Sequence, residues 1–363
     1  MPEKTPELQK RSFLITGGAG FIGSCLAKKM IALGHRVCVL DNLTYAGHLE
    51  NLQEIRDHRN FHFVHGNILN TLLVSEYLIQ HQVNTVINCA AESHVDRSIQ
   101  NPANFIDTNI CGTFSLLSSC LNYWNRSAEP EDFRYVQIST DEVYGSLGKD
   151  GKFREDSPYA PNSPYSASKA GADHLVRAWH HTYGLPTIST HCSNNYGPYQ
   201  FPEKLIPHMI TCALQDKPLP VYGDGGNIRD WIHVEDHCHG VWLAIQKGKP
   251  GGTYCFGGNA ERRNLDIVRI ICEFLNQILP RHDGKDYASN IQFVKDRLGH
   301  DRRYAIDDSL AQNELGFRRK FSFEDGLLNT VQWYLNNQAW CKTVLTKKQQ
   351  PIATEDSSQE ATK

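Results

Sequence analysis

The chain has 363 residues, with 37 Lys and Arg against 40 Asp and Glu and a formal net charge of -3. That balance offers no basic surface for nucleic acid and no polybasic membrane anchor. No apolar run reaches the roughly 18 residues needed to cross a bilayer. The opening MPEKTPELQKR lacks the apolar core of a signal peptide, so the cytoplasm is the expected compartment.

Residues 1–10 read as a polar tail. Strands are then expected at Phe13–Thr16, Val37–Leu40, Phe61–Val64, Thr85–Ile87 and Tyr135–Ile138, with helices at about 21–33, 71–81 and 102–122 between them. A helix over about 164–183 and a strand at Thr187–Thr190 continue the pattern. Alternation of this kind predicts an α/β fold of Rossmann type, a doubly wound parallel sheet covered on both faces. After Asn195 the texture changes: Pro198, Pro202, Pro207, Pro218 and Pro220 punctuate shorter elements. The expected organisation is a parallel-sheet domain mainly over 11–195, a smaller α/β region over 196–337, and a disordered polar tail over 342–363.

The first strand runs into Gly17, Gly20 and Gly23, followed by the helical apolar pattern Phe21, Ile22, Leu26, Met30, Leu33. Glycines so placed allow a tight turn, close approach of backbone to a pyrophosphate, and close helix–sheet packing, with the phosphate over the helix N-terminus. Asp41 ends the second strand, 18 residues beyond Gly23, where a carboxylate accepts hydrogen bonds from ribose hydroxyls and repels a 2′-phosphate. No arginine follows it, so NAD is favoured over NADP.

Eleven cysteines occur without a Cys-x2-Cys pair and mostly within apolar runs, which reads as buried reduced thiols and no metal site. His180-His181 and His237-Cys238-His239 lie in helical segments, where neighbours point apart, and are read as surface residues.

Ser163-Pro164 opens a helix on which Tyr165 and Lys169 share a face. A phenolate favoured by the lysine ammonium can take a hydroxyl proton. Asp141 and Glu142 follow the Tyr135–Ser139 strand at its carboxyl edge, beside Thr140. Removal of water needs a base for a carbon-bound proton and an acid for the departing oxygen, and two carboxylates in different protonation states suit those tasks.

At these residues the chain resembles the extended short-chain dehydrogenase/reductases, and within them the dTDP-glucose 4,6-dehydratase family. The resemblance covers about 11–337. It rests on TGGAGFIG at 16–23, DNLTYAGHLENL at 41–52, AAESHVDRSI at 90–99 and STDEVYG at 139–145. SPYSASKAGADHLVRAW at 163–179, CSNNYGPYQFPEKLIP at 192–207, RDWIHVEDH at 229–237 and GHDRRYAID at 299–307 carry it further. It implies oxidation at C4 with Tyr165 as base, loss of water with Glu142 taking the C5 proton and Asp141 protonating the C6 oxygen, and return of hydride to C6. Thr140 would hold the sugar near its 4-hydroxyl, and Lys169 the nicotinamide ribose.

Further cofactor contacts implied are Phe21, Ile22, Asp41, Asn42, Leu43, Thr44, Asn67, Ile68, Cys89, Ala90, Ala91, Ser93, Thr108 and Asn195. The implied substrate contacts, besides Thr140, are His94, Asn194, Lys204, Leu205, Pro220, Tyr222, Arg229, Asn264, Arg297 and His300, with Arg229 and Arg297 on the diphosphate. Asn67 stands where the family has aspartate, and Leu298 where it has proline. The resemblance also implies a homodimer through helices around 102–122 and 165–183. A 4-epimerase or decarboxylase keeps Tyr and Lys but normally lacks the Asp-Glu pair, and a non-catalytic NAD sensor would lose the dyad. UDP-glucose is the alternative substrate, one methyl away.

Overall fold

The computed structural model describes residues 10–127 and 132–347. Of the polar tails expected at 1–10 and 342–363, residues 1–9 and 348–363 lie outside them. In chain order the first half gives β1 (Ser12–Thr16), α1 (Phe21–Ala32), β2 (Arg36–Asp41), β3 (Phe61–His65), α2 (Thr71–Gln80) and β4 (Thr85–Asn88). Then come α3 (Val95–Gln100), α4 (Ala103–Phe105), α5 (Thr113–Trp124), β5 (Arg134–Thr140), α6 (Pro164–Tyr183) and β6 (Thr187–Cys192). The second half supplies β7 (Asn194–Tyr196), α7 (Leu205–Leu214), β8 (Leu219–Tyr222), β9 (Ile228–His233) and α8 (Val234–Lys247). It ends with β10 (Thr253–Phe256), β11 (Glu261–Arg263), α9 (Asn264–Ile278), β12 (Ile291–Val294), α10 (Phe323–Asn336) and α11 (Gln338–Lys347).

Seven strands form one sheet in the order β10-β6-β5-β4-β1-β2-β3, every neighbouring pair parallel. The order reverses between β1 and β4, and a crevice opens beyond the carboxyl ends at such a point. Side chains alternate across the sheet. Phe13, Ile15, Val37 and Val39 pack with Leu26 and Met30 of α1 and Val241 of α8, while Leu14, Cys38 and Leu40 pack with Leu78 of α2, Leu116 of α5 and Val176 of α6. Fully burying one such side chain contributes about 1.5–3 kcal/mol, so the sheet is held from both sides.

The seventh strand and α8 come from beyond residue 195, so the chain returns to the large sheet after leaving it. The chain therefore passes back and forth across the boundary expected at 195. The remaining second-half elements form two small sheets, β11-β9-β7 and β12-β8, over a separate core including Ile206, Trp231, Ile271 and Leu327.

Three expectations are corrected. The helix over 102–122 is interrupted by a π-turn at Ile106–Gly112, which turns Asn109 inward to bond both the N–H and carbonyl of Glu92 and the Ser168 hydroxyl. The tail expected from 342 is contradicted over 342–347, where α11 runs on to Lys347 with Cys341 and Val344 buried. His237 and Cys238 are wholly buried rather than on the surface: α8 lies between the large sheet and the smaller region, and the imidazole Nδ1 meets Asn195 Oδ1 at 2.9 Å. Burial holds that imidazole down to about 3, hence neutral. Eight of the eleven cysteines are buried.

Candidate active site

The β1–α1 turn makes the floor of the first cavity. Gly17 has φ +63°, and a Cβ there would stand 2.6 Å from the Ala90 nitrogen. A Cβ on Gly23 would stand 2.3 Å from the Gly17 carbonyl oxygen, so α1 approaches the turn as closely as backbone allows. No side chain caps α1 at Gly20, and its positive end faces the cavity.

Asp41 closes the turn from β2: its Oδ2 accepts from Ala19 N at 2.9 Å and its Oδ1 from Leu43 N at 2.8 Å. Burial raises its carboxyl above the ordinary value, and those two N–H groups oppose the rise. A carboxylate accepts up to four hydrogen bonds, so capacity remains for ribose hydroxyls. The cavity, about 320 Å3, is also lined by Phe21, Ile22, Asn42, Thr44, Asn67, Ile68, Cys89, Ala90, Ala91, Ser93, Thr108 and Asn195. Leu43 is the exception among the cofactor residues expected. Its backbone takes φ +49° and its side chain packs against the core behind the turn. Asn67 reaches the rim, with its Oδ1 accepting from Leu69 N at 2.9 Å.

The chemical residues meet where this cavity joins a second. Thr140 ends β5, and its Oγ1 caps the tight turn Asp141–Tyr144 by accepting from Glu142 N at 3.3 Å. Ser163 caps α6, accepting from Ser166 N at 3.0 Å, with Pro164 in the first helical position. Tyr165 follows directly and Lys169 one turn later, both buried at the cavity wall. Lys169 Nζ donates to Ile138 O at 2.6 Å, tying α6 to β5. Burial lowers the Lys169 ammonium, and Asp173 foremost opposes that shift. Burial, then Glu142, Cys192 and Asp141, push the Tyr165 phenol well above its usual value, while a hydrogen bond with Thr140 pulls it down.

The two acids are adjacent yet differently surrounded. Asp141 is 1 % exposed, and its Oδ2 has no hydrogen-bond partner. Burial, Glu142 and Asp230 raise its carboxyl well above the ordinary range. Burial also raises Glu142, but Arg229, Lys204 and Arg297 all favour its charged form. Environments of this kind make one carboxyl an acid and its neighbour a base.

The second cavity, about 450 Å3, is lined by His94, Asn194, Lys204, Leu205, Pro220, Tyr222, Arg229, Asn264, Arg297 and His300. Thr140 faces the first cavity instead, and Glu142, Asn194, Asn195 and Lys204 line both. The two arginines expected on the diphosphate are already engaged. Arg297 Nε lies 2.6 Å from Asp96 Oδ1 and its Nη2 donates to Asp96 Oδ2 at 3.0 Å. Arg229 lies over the Tyr304 ring at 4.2 Å and donates from Nη2 to Asp301 O at 2.9 Å. Asp96, Arg97, Glu203, Gln200 and Tyr304 also line this cavity and were not foreseen. The first two stand within AAESHVDRSI and Glu203 just before Lys204, so position inside the recognised motifs was the available signal.

Residues 14–330 match the family model described as GDP-mannose 4,6 dehydratase. The dTDP-glucose 4,6-dehydratase of Xanthomonas campestris pv. campestris is 54% identical over 336 residues, 92% of this chain and 96% of that one. A solved dTDP-glucose 4,6-dehydratase of Streptomyces venezuelae with NAD bound superposes with a TM-score of 0.84 at 43% identity, over 92% of this chain and 99% of that one. The UDP-glucose 4-epimerase of Thermotoga maritima shares the fold at a TM-score of 0.80 and 27% identity, over 90% and 99%. Fold alone thus does not separate epimerase from dehydratase, whereas identity does. The chain belongs to the dTDP-glucose 4,6-dehydratase family.

Proposed function

We propose a division of labour among the site residues for the reaction this enzyme catalyses, the NAD-dependent conversion of dTDP-glucose to its 4-keto-6-deoxy form with loss of water. The enzyme is a hydro-lyase whose cofactor is NAD. The observation that carries the assignment is the difference between two buried carboxyls: Asp141 faces two further acids, and Glu142 faces three cations.

Bound NAD supplies an acceptor for the C4 hydride and returns that hydride at C6. Tyr165 takes the proton of the 4-hydroxyl, the Lys169 ammonium and the positive charge of bound nicotinamide offsetting the burial that otherwise holds its phenol up, and Thr140 holds that oxygen. The ketone formed at C4 acidifies C5–H. Glu142 takes the C5 proton, and the protonated Asp141 donates to the C6 oxygen as its bond to carbon breaks, releasing water. Glu142 gives its proton back to C5. The proton left on Tyr165 restores Asp141, so every group ends the cycle as it began.

Asp41 and the uncapped end of α1 hold the ribose and diphosphate of NAD, and Lys169 the nicotinamide ribose. Arg229 and Arg297 hold the substrate diphosphate, with Arg297 exchanging Asp96 for phosphate oxygens. Residues 11–195 mainly serve the cofactor and 196–337 the nucleotide sugar. Two copies are expected to pair through α5 and α6, where Phe114 and Tyr183 are each 51% exposed. Buried thiols in such number suit the reducing cytoplasm, the compartment proposed for it.

The test incubates purified protein with dTDP-glucose and, separately, UDP-glucose, and follows the 4-keto-6-deoxy product. Turnover should favour the thymine nucleotide; one methyl limits the preference to about 1–3 kcal/mol. Formation of the C4 epimer without loss of water would reject the assignment of Asp141 and Glu142. A monomeric mass in solution would reject the dimer.

A further inference from the structure

Behind the catalytic wall lies a buried carboxylate–imidazole pair to which the reaction assigns no part. Asp173 is on α6 one turn beyond Lys169, and His191 on β6 stands in register with Ser139 of β5. His191 is 0% and Asp173 3% exposed. One carboxylate oxygen, Oδ2, meets three donors: Ser139 Oγ at 2.7 Å, His191 Nε2 at 3.0 Å and Tyr159 Oη at 3.4 Å. The other, Oδ1, is buried without a partner. On the far side of the imidazole, Nδ1 meets Tyr144 Oη at 3.1 Å.

Each member belongs to a different piece of the machinery. Ser139 precedes Thr140 on β5, Asp173 shares the helix of Tyr165 and Lys169, and Tyr144 closes the turn that carries Asp141 and Glu142. We propose that Asp173 and His191 form a positioning pair that locks these three elements in one geometry and sets the Asp173 carboxyl group one helical turn from Lys169. This rests on the assignment of Tyr165 and Lys169 as the redox dyad.

A carboxylate buried in this way is costly unless donors and a cation compensate it, and both are supplied. The imidazole is gripped at both ring nitrogens, Nε2 by Asp173 and Nδ1 by Tyr144, which fixes its orientation. Burial lowers Lys169, and the groups facing it besides Asp173 are the thiols of Cys192 and Cys89. Around the pair itself stand the phenols of Tyr144, Tyr159 and Tyr135, the Glu155 carboxyl, the Cys255 thiol and, beyond Tyr159, Arg177. Asp173 is thus the carboxylate that favours the ammonium.

The deciding measurement is the pH profile of kcat for NAD-loaded Asp173→Asn beside the unsubstituted enzyme. Without the carboxylate the amine loses its proton more readily, so the alkaline limb should move to lower pH by about one unit, with KM unchanged within about twofold. An alkaline limb superimposable on that of the unsubstituted enzyme overturns the proposal. If Asp173→Asn does not fold, His191→Asn decides, since it keeps the charge and breaks the link to Tyr144. It should lose about tenfold in kcat at constant KM with the limb in place, as expected for misplaced groups; an unchanged kcat overturns the proposal. Tyr165→Phe run alongside separates the two ideas. Full activity there rejects the dyad itself, whereas an inactive Tyr165→Phe with an unmoved Asp173→Asn limb rejects only the positioning pair.

Discussion

The two cavities that meet at Glu142 are built by different means. The cofactor cavity is made of backbone: strand ends, a glycine turn that leaves no space for side chains, and an uncapped helix end. Its shape exists before any ligand arrives. The substrate cavity is made of long side chains on short elements, and its charges are already paired among themselves, Arg297 with Asp96 and Arg97 with Glu203. There a ligand must exchange partners. A backbone cradle fixes position, whereas an ion-paired wall permits specificity at the cost of rearrangement.

The sharpest test of that contrast removes the chemistry and leaves both cavities intact. Tyr165→Phe should reduce kcat by at least about a thousandfold, since a general base is lost. NAD and dTDP-glucose should still bind with constants within a few-fold of the original. Calorimetric titration with each ligand checks this; weakened binding of both would mean that Tyr165 shapes the seam rather than reacts there.

Next in size is the double replacement Asp141→Asn with Glu142→Gln. Oxidation at C4 should persist while elimination slows by about a hundredfold or more. A rapid-mixing experiment would then see reduced cofactor build up without 4-keto-6-deoxy product. Equal loss of both steps in folded protein would count against separate tasks for the two acids.

The contrast also explains what the sequence could and could not reveal. Gly17, Gly23 and Asp41 were legible because a pyrophosphate turn demands particular residue types at fixed spacing. Of the cofactor residues expected, only Leu43 proved to point away, because its left-handed backbone turns its side chain to the core. The π-turn at Ile106–Gly112 was invisible because its cause, Asn109 reaching Glu92 and Ser168, lies in distant chain. The burial of His237 escaped for the same reason: helix periodicity says nothing of a second layer arriving on the outer face. Asp96 pairs with Arg297 across 201 residues, and no local pattern carries that information.

Two smaller changes set the cavities against each other. Gly23→Ala forces a methyl against the Gly17 carbonyl oxygen at 2.3 Å. Overpacking of about 1–3 kcal/mol should weaken NAD roughly tenfold or more. The KM for dTDP-glucose should hardly move once NAD saturates. Arg297→Ala should do the reverse, raising that KM about tenfold while NAD affinity stays put. Parallel titrations of both variants check this, and a variant that weakens both ligands alike would show that the cavities act as one.

The smallest expected effect is on stability, and it follows from the seam itself. The folded Asp141 carboxyl is raised well above its ordinary value of 3.8 by burial, Glu142 and Asp230. The folded state therefore holds this proton more tightly than the unfolded one. Its contribution is fully present below 3.8 and is lost as pH rises through the folded value. Asp141→Asn removes the titration and the charge together. Its melting temperature should match that of the unsubstituted protein in acid and exceed it by about 2 °C at pH 8. A difference that stays constant from pH 4 to pH 8 would show that Asp141 does not titrate in that window. The acid that protonates the leaving oxygen would then have to be sought elsewhere. A difference that widens with pH identifies the strain of keeping a proton donor in a dry seam, which the backbone-built cavity beside it does not bear.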